Sequence, residues 1–293
     1  MSSLTGVLLT ALESGLIFSI LAIGVVITFK VLAVSDLSVE GTFPLGAFLV
    51  GRFLTLGLNP FLSLGISLVG GALAGLATYV FHKKFKIEAI LAGILTMTIL
   101  YSVNLRLTGK SNIPLFNYPS IFVYFQNKLL ILLVIVLLVK LLLDWFFNTE
   151  QGYLLVITGD NEDLVKSLGK NPDTYLMVGI MLSNALVALS GAIQAQYQGF
   201  IDITMGQSMI VTALASIVIG DAIFRESRKL KLSTRAIIGS ISYRIIIGLA
   251  IELGLNPNDL KAVTAVIVLL FIGYNNIQSK QKEGKILRDL SIE

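Results

Sequence analysis

Residues 128–147 read KLLILLVIVLLVKLLLDWFF, and between Lys128 and Lys140 every side chain is apolar. A helix of about 20 such residues covers the roughly 30 Å hydrocarbon layer of a bilayer. Working outward, comparable runs occur at about 7–29, 39–57, 61–81, 87–107, 173–198, 207–224, 232–253 and 261–276, so the chain carries nine. The runs at 39–57 and 261–276 are marginal in length, and Glu40, Gly41 and Pro44 predict that the first of these is a broken or partly unwound helix. Hydrophobic residues make up 55% of the chain and charged residues 14%, against about 25% charged in a soluble domain. So few charges cannot cover a water-exposed surface, which excludes a cytosolic globular protein, a disordered tail and a nucleic-acid binder. The expected fold is all-α: one polytopic membrane bundle over residues 1–293, with about nine spans (eight to ten).

Lysine and arginine set the orientation. With the N-terminus outside, fifteen lie inside (Lys30, Lys83, Lys84, Lys86, Lys166, Lys170, Arg225, Arg228, Lys229, Lys231, Arg235, Lys280, Lys282, Lys285, Arg288) and five outside (Arg52, Arg106, Lys110, Lys128, Lys261). Lys140 and Arg244 fall within spans. The expected placement is a bacterial plasma membrane, N-terminus outside, with residues 277–293 as a cytoplasmic tail. The first span has no basic leader and is too long for a signal peptide, so it reads as a membrane helix.

Several chemistries drop out. The chain has no cysteine and one histidine, His82, read as a solvated loop residue beside lysines. Thiol, metal-histidine and Ser/His/Asp chemistry are therefore not expected. The tripeptide Gly109-Lys110-Ser111 is no phosphate loop, because Asn104 stands where a glycine is needed. A membrane enzyme finds no catalytic constellation.

The loop 148–172 is longer than a simple connector. From Thr158 it runs Thr-Gly-Asp-Asn-Glu-Asp-Leu-Val-Lys-Ser-Leu-Gly-Lys-Asn-Pro. Asp160 or Asn161 can cap a helix, Glu162 and Asp163 suit its positive end, Gly169 can stop it, and Pro172 prevents continuation. The pattern predicts one helix of two to three turns with Leu164, Val165 and Leu168 on one apolar face. On the opposite side, residues 108–127 carry Phe116, Tyr118, Phe122, Tyr124 and Phe125, either an interfacial aromatic belt or a platform for an external partner.

Charges inside a span cost about 2.5–3.5 kcal/mol and face a cavity or a partner. Glu40 and Arg244 qualify, either paired with each other or on a pathway. The segments Asp36-Leu37-Ser38-Val39-Glu40-Gly41 and Asp202-Ile203-Thr204-Met205-Gly206 share acid, aliphatic, hydroxyl, aliphatic and glycine, five spans apart. An odd offset reverses orientation, so they predict an inverted repeat with broken helices near the midplane. Together with Thr42, Pro44, Asn104, Gln194 and Gln198 they form the expected translocation path, although the amides could instead bond helix to helix. Gly71 and Gly75 predict close helix packing.

Thr158-Gly159-Asp160-Asn161-Glu162, Gly169, the run 184–192, Gln196-Tyr197-Gln198-Gly199-Phe200-Ile201-Asp202 and Met205-Gly206 resemble permeases of ABC importers, in the group that handles branched-chain amino acids, ribose and related solutes. Ile27–Leu32 and Asp36–Gly46 fit the tryptophan/tyrosine-type branch, and the resemblance covers roughly residues 20–225. It implies that Thr158, Gly159, Asp160, Asn161, Glu162, Leu164, Val165, Leu168 and Gly169 form a coupling helix seated on a separate ATPase. Glu162 is followed by Asp163 and Leu164, where the widespread form has Glu-Ala-Ala. It also implies a second permease copy as a homodimer, an extracytoplasmic solute-binding lipoprotein, surrounding lipid, and an aromatic amino acid as solute. ATP and magnesium belong to the partner ATPase, with no cofactor in this chain. The alternative is a secondary transporter driven by an ion gradient.

Overall fold

The computed structural model describes residues 4–125, 127–224, 230–256, 259–260, 262–266, 269–270 and 273. Half of the expected span 261–276, the tail 277–293 and its bases, and Arg225, Arg228, Lys229 and Lys261 lie outside the described residues.

Among the described residues, seven helices are long and apolar enough to cross a membrane. Two form the centre. Helix α1 (Leu4–Val26, continued as a wider turn to Val31) and helix α8 (Pro172–Gln198) are the most deeply buried of the long helices. They run antiparallel, clasped by Ser183 Oγ donating to the Gly24 carbonyl (2.7 Å) and Ser190 Oγ to the Ile17 carbonyl (2.8 Å). Helix α3 (Pro60–Tyr79) lies along α8, where Gly71 and Gly75 abut the α8 backbone so closely that no side chain would fit, as the spacing predicts. Helix α10 (Leu232–Glu252) lies along α1 in the same manner, with Gly15 against Ile241 and Ser240 Oγ donating to the Gly15 carbonyl at 2.9 Å. Helices α4 (Ala89–Thr108) and α5 (Lys128–Phe147) are peripheral and mostly unburied, and expose Leu, Ile and Val outward as a lipid-facing surface requires.

Two helices start inside the bundle. Helix α2 (Val39–Thr55) has 17 residues, or about 25 Å, too short for a full crossing. It begins beside Asn184, midway along α8, and rises parallel to it, Thr42 meeting Asn184, Gly46 meeting Ala188 and Gly51 meeting Ile201. The irregularity expected at Glu40–Pro44 lies earlier, over residues 32–38; α2 itself is continuous through Pro44, which sits in its second turn. Helix α9 (Met209–Ile223) also starts inside, after a 3-10 turn at Ile203–Gly206 packed against Glu40 and Pro44. It leaves by the opposite end, where Asp221 pairs with Lys30.

Both ends are closed by short elements. Strands β1 (Asn112–Pro114) and β2 (Phe200–Asp202) pair antiparallel, Ile113 opposite Ile201. At the other end lie α6 (Glu150–Asp160) and α7 (Glu162–Ser167). The loop 148–172 thus holds two helices where one is expected, and Pro172 opens α8 at its first turn, with Asn171 as the cap, and does not terminate α7. His82 is not a free loop residue: it lies within Val80–Lys84, the extension of α3, its Nδ1 within 2.8 Å of the Ile87 carbonyl.

Candidate substrate pathway and coupling segment

The residues expected along a pathway divide into a sealed group and a cavity group. Asp36 is 2% exposed; Ser38, Thr42 and Asn184 are fully buried. Asp36 Oδ1 accepts the Ser38 N–H (2.9 Å) and Oδ2 accepts Asn184 Nδ2 (2.8 Å). Asn184 Oδ1 in turn accepts Ser38 Oγ (3.1 Å) and Thr42 Oγ1 (2.7 Å). The network fixes the segment before α2 to the middle of α8, and satisfied buried polar groups of this kind rigidify what they join.

Glu40, Gly41, Pro44 and Asn104 line a cavity of about 350 Å³ between α2, α4 and the turn at Ile203–Gly206. Asn104 Nδ2 reaches the Gly41 carbonyl at 3.4 Å while its buried Oδ1 has no partner. Thr204 borders this cavity and a second one of about 410 Å³, which gathers Gln194, Gln198, Asp202 and Arg244 with Phe18, Phe43, Phe200, Met205 and Met209. Glu40 and Arg244 therefore line different cavities. The guanidinium of Arg244 stands 3.6 Å over the Phe18 ring, itself stacked on Phe43 at 5.8 Å. Its buried Nε has no hydrogen-bond partner. Arg244 also borders a hollow between α1 and α10 beside Thr10 and Ser14.

The glutamines are ordered by their neighbours. Gln198 Nε2 must donate to the Phe200 carbonyl (2.8 Å), which leaves its Oε1 to accept Gln194 Nε2 (3.0 Å) and leaves Gln194 Oε1 buried without a donor. Gln196 points elsewhere, accepting the Ile121 N–H at 2.8 Å. Asp202 Oδ1 accepts both the N–H (2.8 Å) and the hydroxyl of Thr204, and Oδ2 accepts Asn112 Nδ2 at 3.2 Å. These bonds, Thr204's first, hold the Asp202 carboxyl below the usual carboxylate range.

At the opposite end the expected coupling residues separate into a foundation and a tip. Thr158 is 4% exposed and bonds back to the Leu154 carbonyl (2.7 Å), and Gly159 lies against the Val31 carbonyl; both belong to α6, packed on the end of α1. Asp160 closes α6. Asn161 caps α7, its Oδ1 accepting the N–H groups of Asp163 (3.0 Å) and Leu164 (3.1 Å), and Gly169 ends the segment at φ +72°. The expected single apolar face is split: Val165 is fully buried, whereas Leu164 and Leu168, one turn apart, are 47% and 54% exposed. Lys83, at the end of α3, reaches Glu162 (3.2 Å) and Asp173 (3.1 Å), pinning α7 and α8 together. Fully exposed Asp163 pairs with Lys166 at 2.8 Å, which holds its carboxyl below the usual range.

Sequence reasoning missed Phe18 and Met209 as cavity walls and Lys83 as a tether. It also missed the pair Glu13–Tyr197, whose hydroxyl donates at 2.7 Å. Only the basic cluster around Lys83 carried a signal. The aromatic loop is part wall and part surface: Ile121 and Phe122 are buried while Phe116, Tyr124 and Phe125 are exposed.

Known proteins are similar to this sequence. The chain is 40% identical over 282 residues to the tyrosine transport system permease protein of Clostridioides difficile, covering 96% of each chain. It is 32% identical over 278 residues to an uncharacterized protein of Rickettsia prowazekii, covering 93% of this chain and 98% of that one. The autoinducer 2 import system permease protein LsrC of Yersinia pseudotuberculosis shares 27% over 216 residues, 71% of this chain and 60% of that protein. The family model described as branched-chain amino acid transport system / permease component matches residues 7–273, and the chain is a multi-pass membrane permease belonging to that ABC-transporter family.

Proposed function

We propose that this permease is the membrane subunit of an importer driven by ATP hydrolysis on a separate protein, carrying an amino acid of the aromatic, tyrosine/tryptophan class. The observation that carries the reading is α7: a capped six-residue helix whose Val165 is sunk in the core while Leu164 and Leu168 stand exposed one turn apart. A helix this short is marginal alone in water; seated on the bundle by Val165 and the Lys83 tether, it presents a rigid apolar ridge to an ATPase surface. ATP and magnesium reside on that ATPase, and this chain needs no cofactor. The name of the C. difficile relative supports the solute class.

In this reading two copies of the chain form the transporter in a bacterial plasma membrane, amid lipid. The N-terminus and residues 108–127 face outward, where a solute-binding lipoprotein delivers. The units α1–α2–α3 and α8–α9–α10 form an inverted repeat. In its favour, α3 lies on α8 as α10 lies on α1, and the short helices α2 and α9 leave by opposite ends from adjoining starts. The pathway runs by Glu40, Gly41, Pro44, Asn104, Gln194, Gln198, Asp202, Thr204 and Arg244, with Asp36, Ser38 and Thr42 anchoring its wall.

The test is uptake of labelled tyrosine and tryptophan by cells or proteoliposomes holding the permease with its ATPase and binding protein. Uptake is expected to survive a protonophore and stop when ATP is depleted. Uptake that follows a proton or sodium gradient without ATP would replace this reading with the ion-gradient transporter.

A further inference from the structure

The 410 Å³ cavity is in the size range of small-ligand sites, and its unsatisfied groups are of two opposite kinds. On α10, Arg244 offers a cation. Among the described residues no carboxylate pairs with it, and its contacts are the Phe18 and Tyr243 rings, at 3.6 and 5.9 Å, and a buried Nε with nothing to donate to. A guanidinium inside a membrane bundle without an anion is costly, and its fork of donors matches a carboxylate. On α8, Gln194 offers the reverse. The donor chain through Gln198 to the Phe200 carbonyl fixes its orientation, so the buried oxygen left over can only accept. The carboxylate of Asp202 lines the same cavity. Phe18, Phe43, Met205 and Met209 line the same cavity.

We infer that this cavity is a solute site for a zwitterionic amino acid with a large apolar or aromatic side chain, in which Arg244 takes the carboxylate and Gln194 Oε1 with Asp202 takes the ammonium. The inference rests on the importer reading for its biological direction, and it adds that the permease itself recognises the solute. A simple anion would use Arg244 but leave Gln194 Oε1 unmet. A simple amine would use the acceptors but leave the guanidinium uncompensated. Only a molecule carrying both charges satisfies both walls. The aromatic faces and the two polarizable methionine side chains then receive its side chain.

The experiment measures binding of labelled L-tyrosine and L-tryptophan to the permease–ATPase complex in lipid nanodiscs. The competitors are tyramine, which lacks the carboxylate, and 4-hydroxyphenylpropanoate, which lacks the ammonium. Wild type is expected to bind tyrosine about tenfold or more tighter than either competitor, the worth of a charge-assisted hydrogen bond. Arg244→Gln should weaken tyrosine by about tenfold or more while leaving tyramine unchanged, and Arg244→Lys should recover part of the loss. Gln194→Leu provides the complementary arm: tyrosine weakens and 4-hydroxyphenylpropanoate does not, which keeps the test decisive if the arginine variant misfolds. Wild-type tyrosine binding by Arg244→Gln overturns the site, as does ATP-driven uptake with no measurable binding of either amino acid to the permease. Absence of ATP-driven uptake alongside Arg244-dependent tyrosine binding overturns the importer reading and leaves the site standing.

Discussion

The backbone of Gly206 rests directly on the carbonyl of Glu40: a methyl added at 206 would lie 2.0 Å from that oxygen and 2.6 Å from Pro44 Cγ. Pro44 brings no N–H to the turn above Glu40, and the 3-10 turn at Ile203–Gly206 closes over that spot. Gly206→Ala is therefore expected to cost about 1–3 kcal/mol by overpacking, read as a lowered Tm in detergent. Gly65, with open space around it, is the control: Gly65→Ala should be neutral or stabilise by about 0.5–1 kcal/mol. Equal losses for the two would refute the contact.

Asn184 satisfies a carboxylate and two hydroxyls at once. Replacing it by Ala strands all three in the core, so thermal unfolding should show a loss of about 3 kcal/mol or more. Ser35→Ala, one residue before Asp36 and exposed, should stay within about 0.5 kcal/mol of wild type. A small effect at Asn184 would mean that water reaches the site.

Val165 and Leu164 are adjacent and should behave oppositely. Val165→Asp buries a charge without a partner and should prevent accumulation of folded permease. Leu164→Asp changes an exposed position, so Tm should move by no more than about 0.5 kcal/mol equivalent while co-purification of the ATPase is lost. An ATPase that stays bound to the Leu164→Asp, Leu168→Asp double variant would dismiss the docking ridge.

Lys83→Gln removes both ion pairs that hold α7 to α8. Partly exposed pairs contribute about 1 kcal/mol or less, so global stability should barely change. Amide hydrogen exchange over residues 162–168 should accelerate, and high salt should mimic the substitution in wild type.

Seven of the nine expected spans were legible because long apolar runs have few alternative explanations in a chain this poor in charge. The short helices were less so. Gly152 and Gly159 look like loop punctuation, yet both sit where the α6 backbone presses on Phe146–Phe147 and on Val31. In one dimension a glycine that permits close packing cannot be told from one that permits a turn. Leu164, Val165 and Leu168 read as one apolar face, but which of them faces the core depends on how α7 is seated, and one tether of that seat is Lys83, almost 80 residues earlier. The bond between Ser38 and Asn184 spans 146 residues, so no local pattern announces it. Among cavity residues the polar ones were visible because charge and amides are rare in spans. Phe18 and Met209 were not, because an apolar side chain in a membrane helix is the ordinary case.

The pairing of residues 112–114 with 200–202 has a mechanical outcome. A ladder of this kind cannot creep by one position without turning every side chain to its other face. The aromatic segment before α5 and the turn carrying Asp202 and Thr204 must therefore shift as one piece or come unstitched altogether. Pressure on one is felt by the other with no intermediate settings, as with a latch cut from the same plate as its strike.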